Sequence, residues 1–158
     1  FPDRMKPDYK VSGQILFEAN RSGQKNGVGF YKYETDKKGK LVKTADPQTV
    51  ELLKPFIDAP KQFEDQEIID RLMIALCNET VRCLEDNIVS TPAEADMAMI
   101  MGIGFPPFRG GPCRYIDQIG LQNYLALCDK YASLGKAYEA PQMIRDMAAN
   151  GKTFYPQA

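Results

Sequence analysis

Residues 65–87 carry the pattern that most limits the fold. Ile69, Leu72, Met73, Leu76, Cys77, Thr80, Val81, Leu84 and Ile88 recur at i, i+3, i+4 and i+7. That spacing lines apolar side chains along one face of an α-helix. Glu64, Asp65 and Glu67 crowd its start, where unpaired backbone N–H groups make a helix end positive. Such a helix draws most of its stability from neighbours that cover its apolar face, so the chain must supply more helices.

The glycines and prolines show where those lie. Ten of the twelve glycines fall within residues 13–39 and 102–120, and between the breakers the apolar spacing is helical. Residues 9–20, with Tyr9, Ile15, Leu16, Phe17 and Ala19, predict a short helix stopped by Asn20-Arg21-Ser22-Gly23. Residues 27–33 read as a short extended segment, followed by a polar turn at Asp36–Lys40. Asp46-Pro47 supplies an N-cap and a first-turn proline for a helix that stops before Pro60. Thr91-Pro92-Ala93-Glu94 has the form of a capping box, opening a helix that ends at Gly102. Residues 102–112 must be a loop, and further helices are expected at 112–118, 121–133 and 141–149. The chain is therefore expected to be all-α, with at most one or two short strands. Its 158 residues leave room for one domain, or one plus a piece of another.

One weak repeat is visible. Residues 18–31, ending in Gly27-Val28-Gly29-Phe30-Tyr31, resemble residues 147–155, ending in Gly151-Lys152-Thr153-Phe154-Tyr155. In both, a helix end leads through a glycine turn to Phe-Tyr. The offset of 124 residues (from Tyr31 to Tyr155) is about the length of one small domain.

Composition excludes much chemistry. The chain has no histidine, so it holds no Ser-His-Asp or Cys-His arrangement, no imidazole base and no His-ligated metal. Cys77, Cys83, Cys113 and Cys128 are 6, 30 and 15 residues apart, without a C-x-x-C pair or zinc spacing; they read as buried reduced thiols. A net charge of −1 gives no reason to expect a nucleic-acid partner. No run is apolar and long enough to suggest a transmembrane segment. Gly102-x-Gly104-x-x-Pro107 has glycines in the manner of a nucleotide loop, but it follows a helix and lacks the third glycine. A tight helix connection is the better reading.

The charges are uneven. Residues 21–43 hold seven basic against two acidic residues, and residues 58–96 ten acidic against three basic. Each run is either a face for a charged ligand or partner or simply a solvated surface. Glu79 and Arg82 are spaced as a surface ion pair. The carboxylates Glu64, Asp65, Glu67 and Asp70 fit a helix start rather than a catalytic pair. No catalytic constellation follows from the residues, and a helical interaction or structural domain is the expectation.

Two stretches carry a resemblance. Asn20-Arg-Ser-Gly-Gln-Lys-Asn-Gly-Val-Gly-Phe-Tyr-Lys-Tyr33 and residues 71–111, through Cys-Asn-Glu-Thr-Val-Arg-Cys-Leu-Glu and Thr-Pro-Ala-Glu-Ala-Asp to Gly-Phe-Pro-Pro-Phe-Arg-Gly-Gly, are the main ones. With Arg114-Tyr-Ile-Asp-Gln-Ile-Gly120 they resemble the C-terminal region of 3-hydroxyacyl-CoA dehydrogenases, most closely in the multifunctional alpha subunits of bacterial fatty acid oxidation complexes. The resemblance covers nearly the whole chain. It implies the multi-helical C-terminal domain of the 6-phosphogluconate/3-hydroxyacyl-CoA dehydrogenase type. That domain is duplicated in the family, which implies that residues 1–44 are the tail of a first copy and residues 45–158 a second copy. The repeated Phe-Tyr endings agree with this, as does a chain beginning at Phe1 rather than Met.

The resemblance further implies a fatty acid β-oxidation enzyme with NAD-dependent 3-hydroxyacyl-CoA dehydrogenase and enoyl-CoA hydratase activity, in the cytoplasm. NAD would serve the full-length enzyme and not be bound by this fragment alone. The family's catalytic His–Glu pair belongs to a Rossmann domain preceding the region seen here. A substrate-contacting Asn of the family stands directly before an Arg; the corresponding pair here is Asp70-Arg71, so that role is not carried over. No catalytic, cofactor-binding or metal residue is then assigned. The expected partners are the first helical copy and Rossmann domain of the same chain, acyl-CoA, and the thiolase subunit of the complex. Alone, the fragment is expected to self-associate through an exposed apolar patch. Phe105, Pro106, Pro107, Phe108 and Arg109 form the candidate interdomain contact, unless both phenylalanines fill the domain's own core. The alternative is a stand-alone helical interaction module without enzyme activity.

Overall fold

The computed structural model describes residue 4, residues 9–57, residue 59 and residues 61–156. The chain forms two compact units, Lys6–Gln62, and Phe1–Met5 together with Phe63–Ala158. Among the described residues the secondary structure is seven α-helices and one two-stranded sheet, so the chain is mostly helical, as its sequence pattern predicts.

The Lys6–Gln62 unit contains α1 (Ser12–Glu18), β1 (Tyr31–Thr35), β2 (Leu41–Ala45) and α2 (Pro47–Leu53). Helix α1 is shorter than the apolar spacing suggests. Gly27 and Gly39, at φ +82° and +77°, bracket the first strand. The strand overlaps the expected 27–33 segment at residues 31–33, runs two residues past it, and pairs antiparallel with β2, Tyr31 opposite Ala45 and Thr35 opposite Leu41. No separate signal in the residues marks β2, whose five residues are all exposed. Asp46 does cap α2, accepting from the Gln48 N–H at 3.2 Å. Helix α2 ends at Leu53 and a 3₁₀ turn carries the chain through Phe56; Pro60 lies outside the described residues.

A buried polar knot ties this unit together. Arg21 donates from Nη2 to the Asp46 carboxylate and to the Thr49 hydroxyl (3.0 Å), and from Nε to the Gly29 carbonyl (3.0 Å). The guanidinium hydrogen bond holds the Asp46 carboxyl below its usual range. Hence α2, which the resemblance assigns to the second copy, folds with the hairpin.

The larger unit is built around α3 (Asp65–Glu85). Packed on it are α4 (Pro92–Ile103), α5 (Pro112–Ile119), α6 (Leu121–Tyr131) and α7 (Gln142–Ala149). The capping box forms in full: the Glu94 N–H donates to Thr91 Oγ1, and Glu94 Oε2 accepts from the Thr91 N–H, both at 3.2 Å. Gly104 at φ +73° ends α4, a conformation that favours glycine. The core is centred on Ile74, Cys77, Val81, Ile116, Tyr124 and Ile144. Each large apolar side chain there contributes about 1.5–3 kcal/mol by leaving water.

The apolar pattern of α3 therefore needs a correction. Met73, Leu76, Cys77, Val81 and Leu84 do face or flank the core, but Ile69, Leu72 and Ile88 are exposed. The core side is Ile74, Cys77, Val81 and Leu84, rotated from the stripe read off the sequence. Helix α3 is apolar on more than one side, and periodicity cannot choose between two apolar sides.

Polar groups inside are satisfied by one another. Asn78 donates from Nδ2 to the Ala137 and Glu139 carbonyls at 3.1 and 3.2 Å, and its Oδ1 accepts from the Tyr124 hydroxyl at 2.9 Å. Asp70 does more than favour a helix start: it is buried and accepts from the Tyr131 hydroxyl at 3.1 Å. Glu79–Arg82 is likewise not a surface pair. Glu79 takes a two-pronged bond from Arg4 (3.2 and 2.9 Å), while Arg82 donates to the Lys136 and Glu139 carbonyls. The pair fastens α3 to the segment that follows α6.

Candidate functional site

The expected contact loop begins where α4 ends. Phe105 donates its N–H to the Met99 carbonyl at 3.1 Å, and its ring is buried in the core. Pro106 and Pro107 are exposed and lead into a 3₁₀ turn, Pro107–Arg109. Phe108 is 80% exposed. The Arg109 guanidinium lies 5.4 Å from the Phe108 ring centre and 5.6 Å from that of Tyr115, within reach of cation–π attraction. The two phenylalanines thus divide: Phe105 anchors the loop and Phe108 stands out of it.

What fixes the loop is a carboxylate that spacing alone did not single out. Asp96, buried on α4, accepts from the Cys113 N–H (2.7 Å), the Arg114 N–H (3.2 Å) and the Tyr155 hydroxyl (2.7 Å). It caps α5 from another helix, occupying the positive end of that helix. Gly111, at φ +106°, leaves the room: a Cβ there would overlap the Asp96 side chain. Asp117 in turn accepts from the Phe154 and Tyr155 N–H groups at 3.1 and 3.0 Å, and Arg114 lies 3.7 Å from the Tyr155 ring centre. Burial and the bond to Asp96 both push the Tyr155 hydroxyl pKa up.

Beside α3 runs an apolar strip. One groove of about 410 Å³ is lined by Leu72, Ala75, Leu76, Glu79, Thr80 and Cys83 of α3, with Met99 of α4. A second, sharing Leu72 and Ala75, continues along Phe63, Ile68, Arg71 and Tyr138. Leu72 is 68% exposed. The only signal for this strip in the sequence is the excess of apolar residues on α3.

The thiols are not set up for nucleophilic work. All four are unpaired, and only Cys83 is more than marginally accessible. Burial raises the Cys77, Cys113 and Cys83 pKa values, and the negative charges of Glu79 and Asp86 raise that of Cys83 further. An active thiol needs the opposite shift. No helix among the described residues is long and apolar enough to cross a membrane.

Residues 68–155, which span α3 to the Asp117-held Phe154-Tyr155 segment, match the family model for the 3-hydroxyacyl-CoA dehydrogenase C-terminal domain. The chain belongs to this family. It is 76% identical over its whole length to a fatty acid oxidation complex subunit alpha of Psychrobacter arcticus. It is 73% identical over 98% of its length to the corresponding subunit of Acinetobacter baumannii (strain AYE). In both cases it spans 22% of the relative's length. The dehydrogenase-family segment thus comprises the larger unit without the hairpin, and the contact loop lies inside it.

Proposed function

We propose that this chain is the C-terminal helical part of a multifunctional fatty acid β-oxidation polypeptide with NAD-dependent 3-hydroxyacyl-CoA dehydrogenase and enoyl-CoA hydratase activity. It contributes no catalytic group of its own. Its work is to pack against the first helical copy and the Rossmann domain of the same polypeptide and so support the acyl-CoA cleft. Residues 1–44 are read as the tail of the first copy and 45–158 as the second. NAD, acyl-CoA and a thiolase subunit are partners of the whole cytoplasmic enzyme.

The observation that carries this reading is the combination of a well-satisfied core with an apolar strip on which Leu72 stays 68% exposed. The α3 groove and the exposed Phe108 offer apolar and aromatic side chains of the kind enriched at interface cores, while the chain has no histidine and burial raises the pKa values of its thiols. Phe108 and Arg109 are proposed as the outward half of the contact loop, with Phe105 as its root.

The test compares the full-length polypeptide with a version ending before Phe63. Truncation is expected to lower 3-hydroxyacyl-CoA-dependent NAD reduction by at least about tenfold, the order expected when positioning is lost. The isolated chain should show none and should associate with itself. Turnover by the isolated chain, or full activity after truncation, would sink the proposal.

A further inference from the structure

Phe-Tyr occurs twice after a glycine turn, and the two occurrences are treated differently. Phe154-Tyr155 is clasped: Asp117 takes both backbone N–H groups, Asp96 takes the tyrosine hydroxyl, and Arg114 lies on the ring. Tyr31 has the cation, with Lys43 at 5.0 Å from its ring centre. It lacks the carboxylate: among the described residues no side chain accepts its hydroxyl. Phe30 and Tyr31 are 49% and 42% exposed.

The surroundings point the same way. Among its described residues the Lys6–Gln62 unit buries only Ile15 and Leu16 of the large apolar side chains, while Phe17, Phe56 and Val50 are more than half exposed. A two-stranded hairpin with so little core is marginal in water. In the clasped copy the two carboxylates stand 38 and 59 residues before Tyr155. Counted back from Tyr31, the same spacings point to positions before Phe1. The relatives, of which this chain spans 22%, have ample length for them.

We infer that Phe30-Tyr31 docks on a helical segment of the same polypeptide upstream of Phe1, which presents carboxylates to the Tyr31 hydroxyl and to the adjoining backbone as Asp96 and Asp117 do for Tyr155. This rests on the proposed reading of residues 1–44 as the tail of a first copy. A carboxylate is the group that fits: it accepts two N–H bonds at once, and a charged acceptor makes a stronger bond to a phenol than a neutral one does.

The experiment uses the full-length polypeptide with p-benzoyl-phenylalanine at position 31, irradiated and digested for mass spectrometry. The expected adduct lies upstream of Phe1, in a peptide containing an aspartate or glutamate. An adduct within residues 63–156, an adduct to another subunit, or no adduct overturns the inference. Because the bulky probe could disturb the site, Tyr31→Phe provides a second reading by hydrogen exchange. Loss of the hydroxyl should speed exchange in the upstream acidic peptide several-fold; unchanged exchange there overturns the carboxylate contact. NAD reduction with a 3-hydroxyacyl-CoA is measured alongside. An active enzyme with the wrong adduct sinks the clasp alone, whereas an inactive one with the expected adduct sinks only the proposed activity.

Discussion

Phe154-Tyr155 and Phe30-Tyr31 begin from nearly the same local chemistry. Each follows a helix end and a glycine in the left-handed region, Gly151 at φ +61° and Gly27 at φ +82°. Each tyrosine ring meets a basic side chain. The first pair nonetheless sits half-buried on two aspartates, and the second is exposed at the start of a strand. The difference lies in what the chain folds against each of them. The first lies in a unit whose described residues form five α-helices, whereas the second lies in one with two short helices and a hairpin. A turn motif determines how the chain arrives; neighbours determine whether it is held.

The contrast between the two units can be broken by mutation. The largest effect is expected at the core of the larger unit: Ile74→Ala should cost about 2–5 kcal/mol in urea unfolding, against at most about 0.5 kcal/mol for Leu72→Ala on the open strip. Equal costs would mean that the strip is not open.

Asp96→Ala removes the cap of α5 and the acceptor of the Tyr155 hydroxyl together. It should cost about 2–4 kcal/mol, the sum of a lost cap and a buried group left unpaired, read as a lower urea midpoint. A midpoint within error of the parent would show that the clasp does not hold the unit.

The two tyrosines give the direct comparison. Tyr155→Phe should cost about 1 kcal/mol, the usual net value of one hydrogen bond; Tyr31→Phe in the isolated chain should change nothing measurable. If the costs came out alike, the distinction between clasped and unclasped turns would fall.

The smallest effect is one of pH. The hydrogen bonds from Arg4 hold the Glu79 carboxyl below its ordinary value. A carboxylate with a depressed folded pKa stabilises the fold above its unfolded pKa, and that stability is lost as pH falls through the lower folded value. The larger unit should therefore weaken on acidification below the ordinary carboxylate range near pH ~4. Glu79→Gln should flatten that part of the profile while leaving the smaller unit's acid response, which rests on Arg21–Asp46, unchanged. Thermal melts across pH 2–6 would check it, and identical profiles for parent and variant would remove Glu79 from the account.

Much of the fold was legible because local chemistry wrote it. Thr91 and Glu94 announce a capping box whatever they pack against, and Asp46-Pro47 starts a helix by capping and a fixed φ; the stop of α4 was read two residues early, at Gly102 rather than at the left-handed Gly104. The absence of histidine likewise removes whole classes of chemistry without reference to any shape. The tertiary structure decided matters that involve distant partners. Which apolar side of α3 faces inward depends on α5, α6 and α7 arriving on that side. Asp96 gains its three donors only because α5 begins beside it and Tyr155 returns 59 residues later. Phe105 and Phe108, three positions apart, part ways because the turn between them sends one ring into the core and the other into solvent. Helix ends and turns are set by bonds between near neighbours, which a sequence displays in order. Burial and polar pairing are set by side chains far apart along the chain, and their meeting is a property of the packed whole.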